Sequence, residues 1–397
     1  MSQELCEMTL QQTQELLRLV DLSLQNICCK RFTSDELYVE VLGKVLWGRG
    51  RRGPASIFIV SQEQEGSIFR GRVFHLKEGR MVERSEEIII EATSSYAADL
   101  VLTETQPDTV AVNWVDSCET IDDFQTTFHP SVKSVLDTPI KNFVTSRISG
   151  EHPSAIISFN YPGRATDYDA DVLRSVAVVI GSLVSLSNEV KETENAFIYT
   201  IESLARACEA AEEDTGRHIL RVNRYSGALA ANMGLPADFV HTISYSAQMH
   251  DVGKIKIPTS ILLKNGSLTP IEMEQIWMHP GYGEQILGDS PRLQVAREIA
   301  ISHHENWDGS GYPKGLKGEA IPLAGRIVKI ADVYDALRSK RSYKPALSHR
   351  EAMAIFMLGD ERISPDKHFD PALLATFFKI DHIFEMIYES YQGGENV

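Results

Sequence analysis

The pair His250-Asp251, followed by Lys254, constrains this chain more than any other feature, because its natural partners are scattered from His218 to Asp332. A fold that uses them together must bring distant segments to one place. An imidazole and a carboxylate side by side can share a metal-bearing pocket, and a carboxylate has two oxygens with which to bridge two cations. Two bridged cations about 3.5–4 Å apart make a site for attack on a phosphodiester. The chain has 12 histidines, and His218, His250, His279, His303 and His304 form the proposed cluster. Imidazole suits iron, manganese, zinc and nickel, whereas carboxylate and water suit harder ions. His218, His250, Asp251 and Asp332 are assigned to one metal; Asp251, as bridge, with His279, His303 and His304 to the other.

The text around these residues is long and ordered. It runs Thr215-Gly216-Arg217-His218, His250-Asp251-Val252-Gly253-Lys254, His279-Pro280, and His303-His304-Glu305-Asn306-Trp307-Asp308-Gly309-Ser310-Gly311-Tyr312-Pro313. It continues through Ala331-Asp332-Val333-Tyr334-Asp335-Ala336-Leu337 to Arg341-Ser342-Tyr343-Lys344 and Phe369-Asp370-Pro371. Over about residues 195–390 the chain resembles the HD-GYP phosphodiesterases, a branch of the HD metal-dependent phosphohydrolases. The resemblance implies an all-α catalytic domain with two or three divalent metals, commonly iron or manganese. It also implies hydrolysis of cyclic di-GMP to pGpG and onward to GMP. Family members with three metals carry Glu four residues before the first histidine; here that position is Asp214, one methylene shorter, so a third ion is left open.

The resemblance also implies roles beyond the metals. Asp251 and Lys254 are the catalytic pair. Lys254, Asp308, Gly311, Tyr312, Asp335, Arg341 and Lys344 are substrate contacts. An Arg fork suits phosphate or a guanine edge. The loop from Asp308 to Pro313 is permissive at glycine and stiff at proline, so it can wrap closely round a ligand. Tyr312 either stacks on guanine or packs the loop. The Gly-Tyr-Pro segment is also a candidate docking point for a diguanylate cyclase or an adaptor protein. Hydrolysis needs no covalent protein nucleophile, since a metal-bound water can serve, and no G-x-S-x-G or P-loop suggests another route.

A length of 397 residues predicts two or three domains. A net charge of −16 argues against nucleic acid or an anionic membrane as the main partner. Five cysteines without a C-x-x-C fit a reducing compartment. The start lacks a basic region and an apolar core. The sequence reading finds no run that approaches the ~18 apolar residues of a membrane span, so cytoplasm is expected.

The organisation expected is a multidomain chain. An α+β GAF-like sensor domain (1–168) precedes an all-α HD-GYP domain (195–390), and a long signalling helix (169–208) joins them. An amphipathic helix is expected over 7–29, and strands at 55–60, 72–76, 87–91 and 154–159. The sensor carries no clear cofactor signature; Cys118 and His129 read as loop residues, and its small ligand is unknown. Near-heptad spacing of Leu173, Val176, Ile180, Leu183, Val190, Phe197, Ile201 and Leu204 predicts a parallel homodimeric seam. The alternative is that the first half of this helix caps the sensor and the second half packs into the catalytic core. Two other functions compete: a phosphodiesterase for another cyclic dinucleotide such as cyclic GMP-AMP, and a weakly catalytic dinucleotide-binding signalling protein.

Overall fold

The computed structural model describes residues 46, 53–62, 68–77, 80–84, 87–91, 93–94, 108–117, 119–148, 154–209, 217–264, 266–339 and 346–391. The helix expected over 7–29, Cys118, Asp214, Arg341 and Lys344 lie outside these residues. The chain divides into two units, Met1–Thr193 and Glu194–Val397. The division falls inside one 43-residue helix, Asp167–Glu209.

The first unit is built on an antiparallel sheet. Its strands are β1 (Ser56–Gln62), β2 (Ile68–Lys77), β3 (Arg80–Glu83), β4 (Ile88–Glu91), β5 (Thr109–Asn113), β6 (Asn142–Ile148) and β7 (Ser154–Phe159). They run in the order β3-β2-β1-β7-β6-β5, with β4 paired to β2. In β1, Ile57, Phe58, Ile59 and Val60 are all buried, because the sheet is covered on both faces. Alternate residues point to opposite faces. Ile57 and Ile59 pack with Leu173, Val176, Ala177 and Ile180 of the long helix. Phe58 and Val60 pack with Phe124, Val132 and Val135, which belong to two short helices, Ile121–Thr126 and Pro130–Val135. β5 and β6 were not expected: β5 has five residues and β6 is broken up by Asn142, Thr145, Ser146 and Arg147.

Several residues of the expected seam are divided between two cores. Leu173, Val176, Ile180 and Leu183 are buried in the first unit's own core, and Ile201 and Ala205 in that of the second. This is the alternative stated above, in which each half serves one domain. The segment Asp167–Cys208 is long and apolar enough to cross a membrane by length and composition, which corrects the reading of no such run.

Unit two is helical. The Arg217–Asn232 helix packs against Ala237–Ser246 and Leu323–Arg338. Tyr225, Tyr334, Phe356, Phe377 and Phe384 are buried in the shared core, and Tyr225 stacks on Phe384 with ring centroids 4.6 Å apart. Gly234, at φ 72°, ends the first of these helices, and Pro236 caps the next. This frame leaves the ends of several helices facing one another, which is where the histidines lie.

Candidate metal centre

Most of the cluster residues are held where a helix starts, stops or tightens. His218 opens the Arg217–Asn232 helix. His279 opens His279–Leu287, with Pro280 in its first turn. His303 closes Gln294–Ser302 as its C-cap. Asp332 sits within Leu323–Arg338. His250 and Asp251 lie between two 3-10 turns, Ala247–Met249 and Val252–Lys256. A 3-10 turn eclipses residues i and i+3, and so Lys254 Nζ lies 2.8 Å from Asp251 Oδ2. Gly253 lets this turn press onto the His279 helix, since a Cβ there would lie 1.9 Å from the His279 carbonyl oxygen.

The cluster residues fall into two groups whose ligand atoms lie within 4.8 Å of one another. One is Asp251, His279, His303 and His304; the other is His218, His250 and Asp332. Asp251 reaches both. Its Oδ1 lies 3.2 Å from His279 Nε2 and 3.7 Å from His303 Nε2, while Oδ2 lies 3.2 Å from His250 Nε2. Asp332 Oδ1 lies 3.6 Å from His218 Nε2 and 3.9 Å from His250 Nε2.

The donor set fits metal ions. Three of the imidazoles have Nδ1 tied down from behind: His250 to the Ala247 carbonyl at 2.9 Å, His279 to that of Ile276 at 2.7 Å, His303 to those of Ile299 and Ala300 at 3.1 Å. With Nδ1–H donating, Nε2 of these three is left facing inward, and this backing is what orients metal-ligating histidines. His279 Nε2 and His303 Nε2 then face each other at 3.4 Å, two acceptors with nothing to accept from except a cation. Buried His250 Nε2 and Asp251 Oδ1 have no hydrogen-bond partner, a costly condition for polar atoms that a cation relieves.

His218 is backed by a carboxylate instead. Its Nδ1–H donates to Asp335 Oδ2 at 2.8 Å. Asp335 is completely buried and accepts two further bonds from Arg221, at 2.5 and 2.7 Å. Expected as a substrate contact, Asp335 here accepts bonds from His218, Arg221 and Ser339. The clue lay in the spacing, because a carboxylate three residues after Asp332 shares its helix face.

The loop after His304 is locked onto the cluster. Buried Glu305 accepts from the Lys314 and Leu316 amides at 2.7 and 2.9 Å. Asp308 Oδ1 accepts from the Ser310 amide and hydroxyl, an Asx turn. A Cβ on Gly311 would lie 2.5 Å from the His304 carbonyl oxygen, so only glycine allows this approach. The Tyr312 ring stacks on His304, with centroids 4.7 Å apart at 22°. Two contributors were missed in the sequence: Glu305 and half-buried Lys329, one helical turn before Asp332. Burial pushes the Lys329 amine down to about 8, against the pull of Asp332, Glu305 and Asp308.

Protonation separates the two groups. Burial pushes His303 down to about 4 and His304 well below its ordinary value, so both are neutral near pH 7. Burial also works against a charged His250, but the Asp251 and Asp332 carboxylates overcome it and lift His250 to about 10. His218 is raised in the same direction, burial being outweighed by Asp335 and Asp332. In the metal-free protein the charge on His250 thus stabilises the fold fully below its ordinary 6.5, and that contribution fades as pH rises through about 10. Metal entering the His218 group must displace the His250 proton at neutral pH, whereas His303 and His304 carry none to displace. Calorimetric titration with Mn2+ in buffers of differing ionisation enthalpy should show about one proton released per chain at pH 7. Affinity of the proton-releasing site should rise with pH; a pH-independent affinity at both sites would contradict the assignment.

A family comparison places this cluster. Residues 200–373 match the HD domain. The chain is 41% identical over 252 residues to a cyclic di-GMP phosphodiesterase of Vibrio cholerae, covering 59% of this chain and 50% of that one. It is 40% identical over 214 residues to a cyclic di-GMP phosphodiesterase of Thermotoga maritima, covering 52% of this chain and 57% of that one. A 3'3'-cGAMP-specific phosphodiesterase of Vibrio cholerae is 42% identical over 206 residues, 51% of this chain and 38% of its own. The chain spans about half the length of the first curated relatives it matches. All five histidines and both aspartates of the cluster lie inside the matched HD domain.

Proposed function

We propose that this protein is a metal-dependent phosphodiesterase that hydrolyses cyclic di-GMP to pGpG and on to GMP. The observation that carries the reading is the division of Asp251 between the two ligand groups, one oxygen to each. Bound ions of the iron or manganese type would supply a hydroxide near neutral pH and screen the phosphoryl oxygens. His218, His250, Asp251 and Asp332 would hold one ion, and Asp251, His279, His303 and His304 the other. Lys254, resting on Asp251 Oδ2, would turn its ammonium to the scissile phosphate or the leaving oxygen once Asp251 is otherwise engaged. Arg341 and Lys344 are proposed to bind phosphate or guanine, and the proposed count is two core metals, with a third ion at Asp214 weak or absent.

Relatives named for cyclic di-GMP and for 3'3'-cGAMP match at similar identity, so the second dinucleotide is the competing substrate. The test is anaerobic purification of the full chain, with metal analysis and chromatography of digests of both dinucleotides on one sample. Two metals per chain and pGpG or GMP from cyclic di-GMP support the proposal. A loaded protein that cleaves neither dinucleotide refutes it.

The first unit is proposed to be a GAF-like sensor of a small ligand; an antiparallel sheet covered on both faces supports this. It would regulate the catalytic unit through the Asp167–Glu209 helix, in a homodimer. Inserting four residues after Thr193 turns the downstream helix by about 40°, whereas seven nearly restore the phase. The four-residue insertion should change basal hydrolysis, and the seven-residue one much less. Equal, wild-type rates from both would leave the helix a tether.

A further inference from the structure

We propose that Trp277 is the platform on which a purine base of the substrate stacks. This rests on the cyclic-dinucleotide reading above and adds to it the residue that recognises the base.

Three aromatic rings lead from the metal cluster to solvent. His304, a proposed ligand, carries Tyr312 stacked on its ring. The indole of Trp277 lies against Tyr312, with centroids 5.7 Å apart and planes at 38°. Trp277 is therefore only two ring contacts from a metal ligand, within the reach of a nucleotide from its phosphate to its base. Tyr312 is engaged with His304, His279 and Trp277, whereas Trp277 is 47% exposed. It is the end of the series with ring surface left to cover.

The position is also rigid. Trp277 caps the Pro270–Ile276 helix, and its amide donates to the Met273 carbonyl at 3.0 Å. That helix begins with a capping box, Thr269 and Glu272 bonding each other's backbone. Two residues after Trp277, His279 is anchored through its Nδ1. The backbone that carries the indole is thus held on both sides before a ligand arrives, which lowers the ordering cost of binding. A cyclic dinucleotide offers phosphates to cations and flat bases to apolar rings, and every base has a π-face that an aromatic side chain can take. Loss of such a stack corresponds to roughly 5- to 150-fold in affinity.

The test uses the full metal-loaded chain with cyclic di-GMP as probe and inorganic phosphate as the base-free control. Wild type, Trp277→Phe and Trp277→Leu are compared for intrinsic fluorescence, metal content and steady-state kinetics. Cyclic di-GMP should quench wild-type fluorescence, phosphate should not, and Trp277→Leu should lose most of the quench. In Trp277→Leu the KM should rise about ten-fold with kcat and metal content held, and Trp277→Phe should stay close to wild type. Three results would overturn the assignment: a wild-type KM in Trp277→Leu; a Phe variant as impaired as the Leu variant; or a fall in kcat and metal content, which would make Trp277 a packing residue. Wild type that neither binds nor cleaves cyclic di-GMP would overturn the functional reading and this assignment together. Unchanged Trp277→Leu kinetics in an active enzyme would remove the platform alone.

Discussion

Asp251→Ala should release both bound metals and lower dinucleotide turnover by more than about 100-fold, the upper end of what loss of a partner that merely orients a ligand costs. The reason is its position. Asp251 is the one carboxylate whose two oxygens face different ligand groups, 3.2 Å from His279 on one side and 3.2 Å from His250 on the other. No other described residue offers a ligand to both groups, and Asp332 reaches only His218 and His250. The substitution has a second signature that needs no metal. The charge of Asp251 is the largest influence lifting His250 against burial, so the His250 titration should shift downward in the metal-free variant. Proton NMR of the imidazole would read this directly. Near-normal turnover with full metal content would end the bridging assignment, and an unmoved His250 titration would show that the distances do not describe the protein in solution.

How much of this was open to sequence reading differs from residue to residue. The ligands were legible because a metal site needs particular donor atoms, and His218, His250, Asp251, His279, His303, His304 and Asp332 supply them at spacings few other uses explain. The structure brings these seven together in the two groups the donor chemistry suggested. Their supports were less legible. Backing by the Ala247, Ile276 and Ile299 carbonyls belongs to the backbone, and no residue type announces it. Asp335 was visible as an acid, but whether an acid meets solvent, ligand or Arg221 depends on burial, which its helix face alone did not settle. Lys254 is legible as a cation close to the pair in sequence, but only the 3-10 turn shows that it lies over Asp251. In the first unit the strongly apolar strands β1 and β7 were read, and the polar-studded β6 was not. Membership of a sheet is decided by pairing, and β6 pairs with both β5 and β7 through residues whose sequence reads as loop.

Asp335→Asn should destabilise the protein by about 3–5 kcal/mol, the cost of leaving one member of a buried ion pair uncompensated. Arg221 is buried, and it donates two bonds to the Asp335 carboxylate. An amide offers that guanidinium one acceptor in place of two and no charge. The same change loosens His218, whose Nδ1–H would meet a neutral partner, and metal affinity at the His218 group should fall about 10- to 100-fold. The pH dependence carries a definite sign. Burial favours the neutral acid, yet the hydrogen bonds from Arg221 and His218 outweigh it and hold the Asp335 carboxyl at about 2. A carboxyl depressed in the folded state contributes stability above its ordinary 3.8 and loses it as pH falls through about 2. The difference in stability between wild type and variant should therefore be full at neutral pH and shrink as pH falls toward 2. Denaturant melts across that range, with metal analysis at pH 7, give the two readouts. If Asp335 instead contacted substrate, the variant would melt like wild type, keep its metals and show only a raised KM; that pattern would return Asp335 to the ligand-binding set and leave His218 without its proposed support.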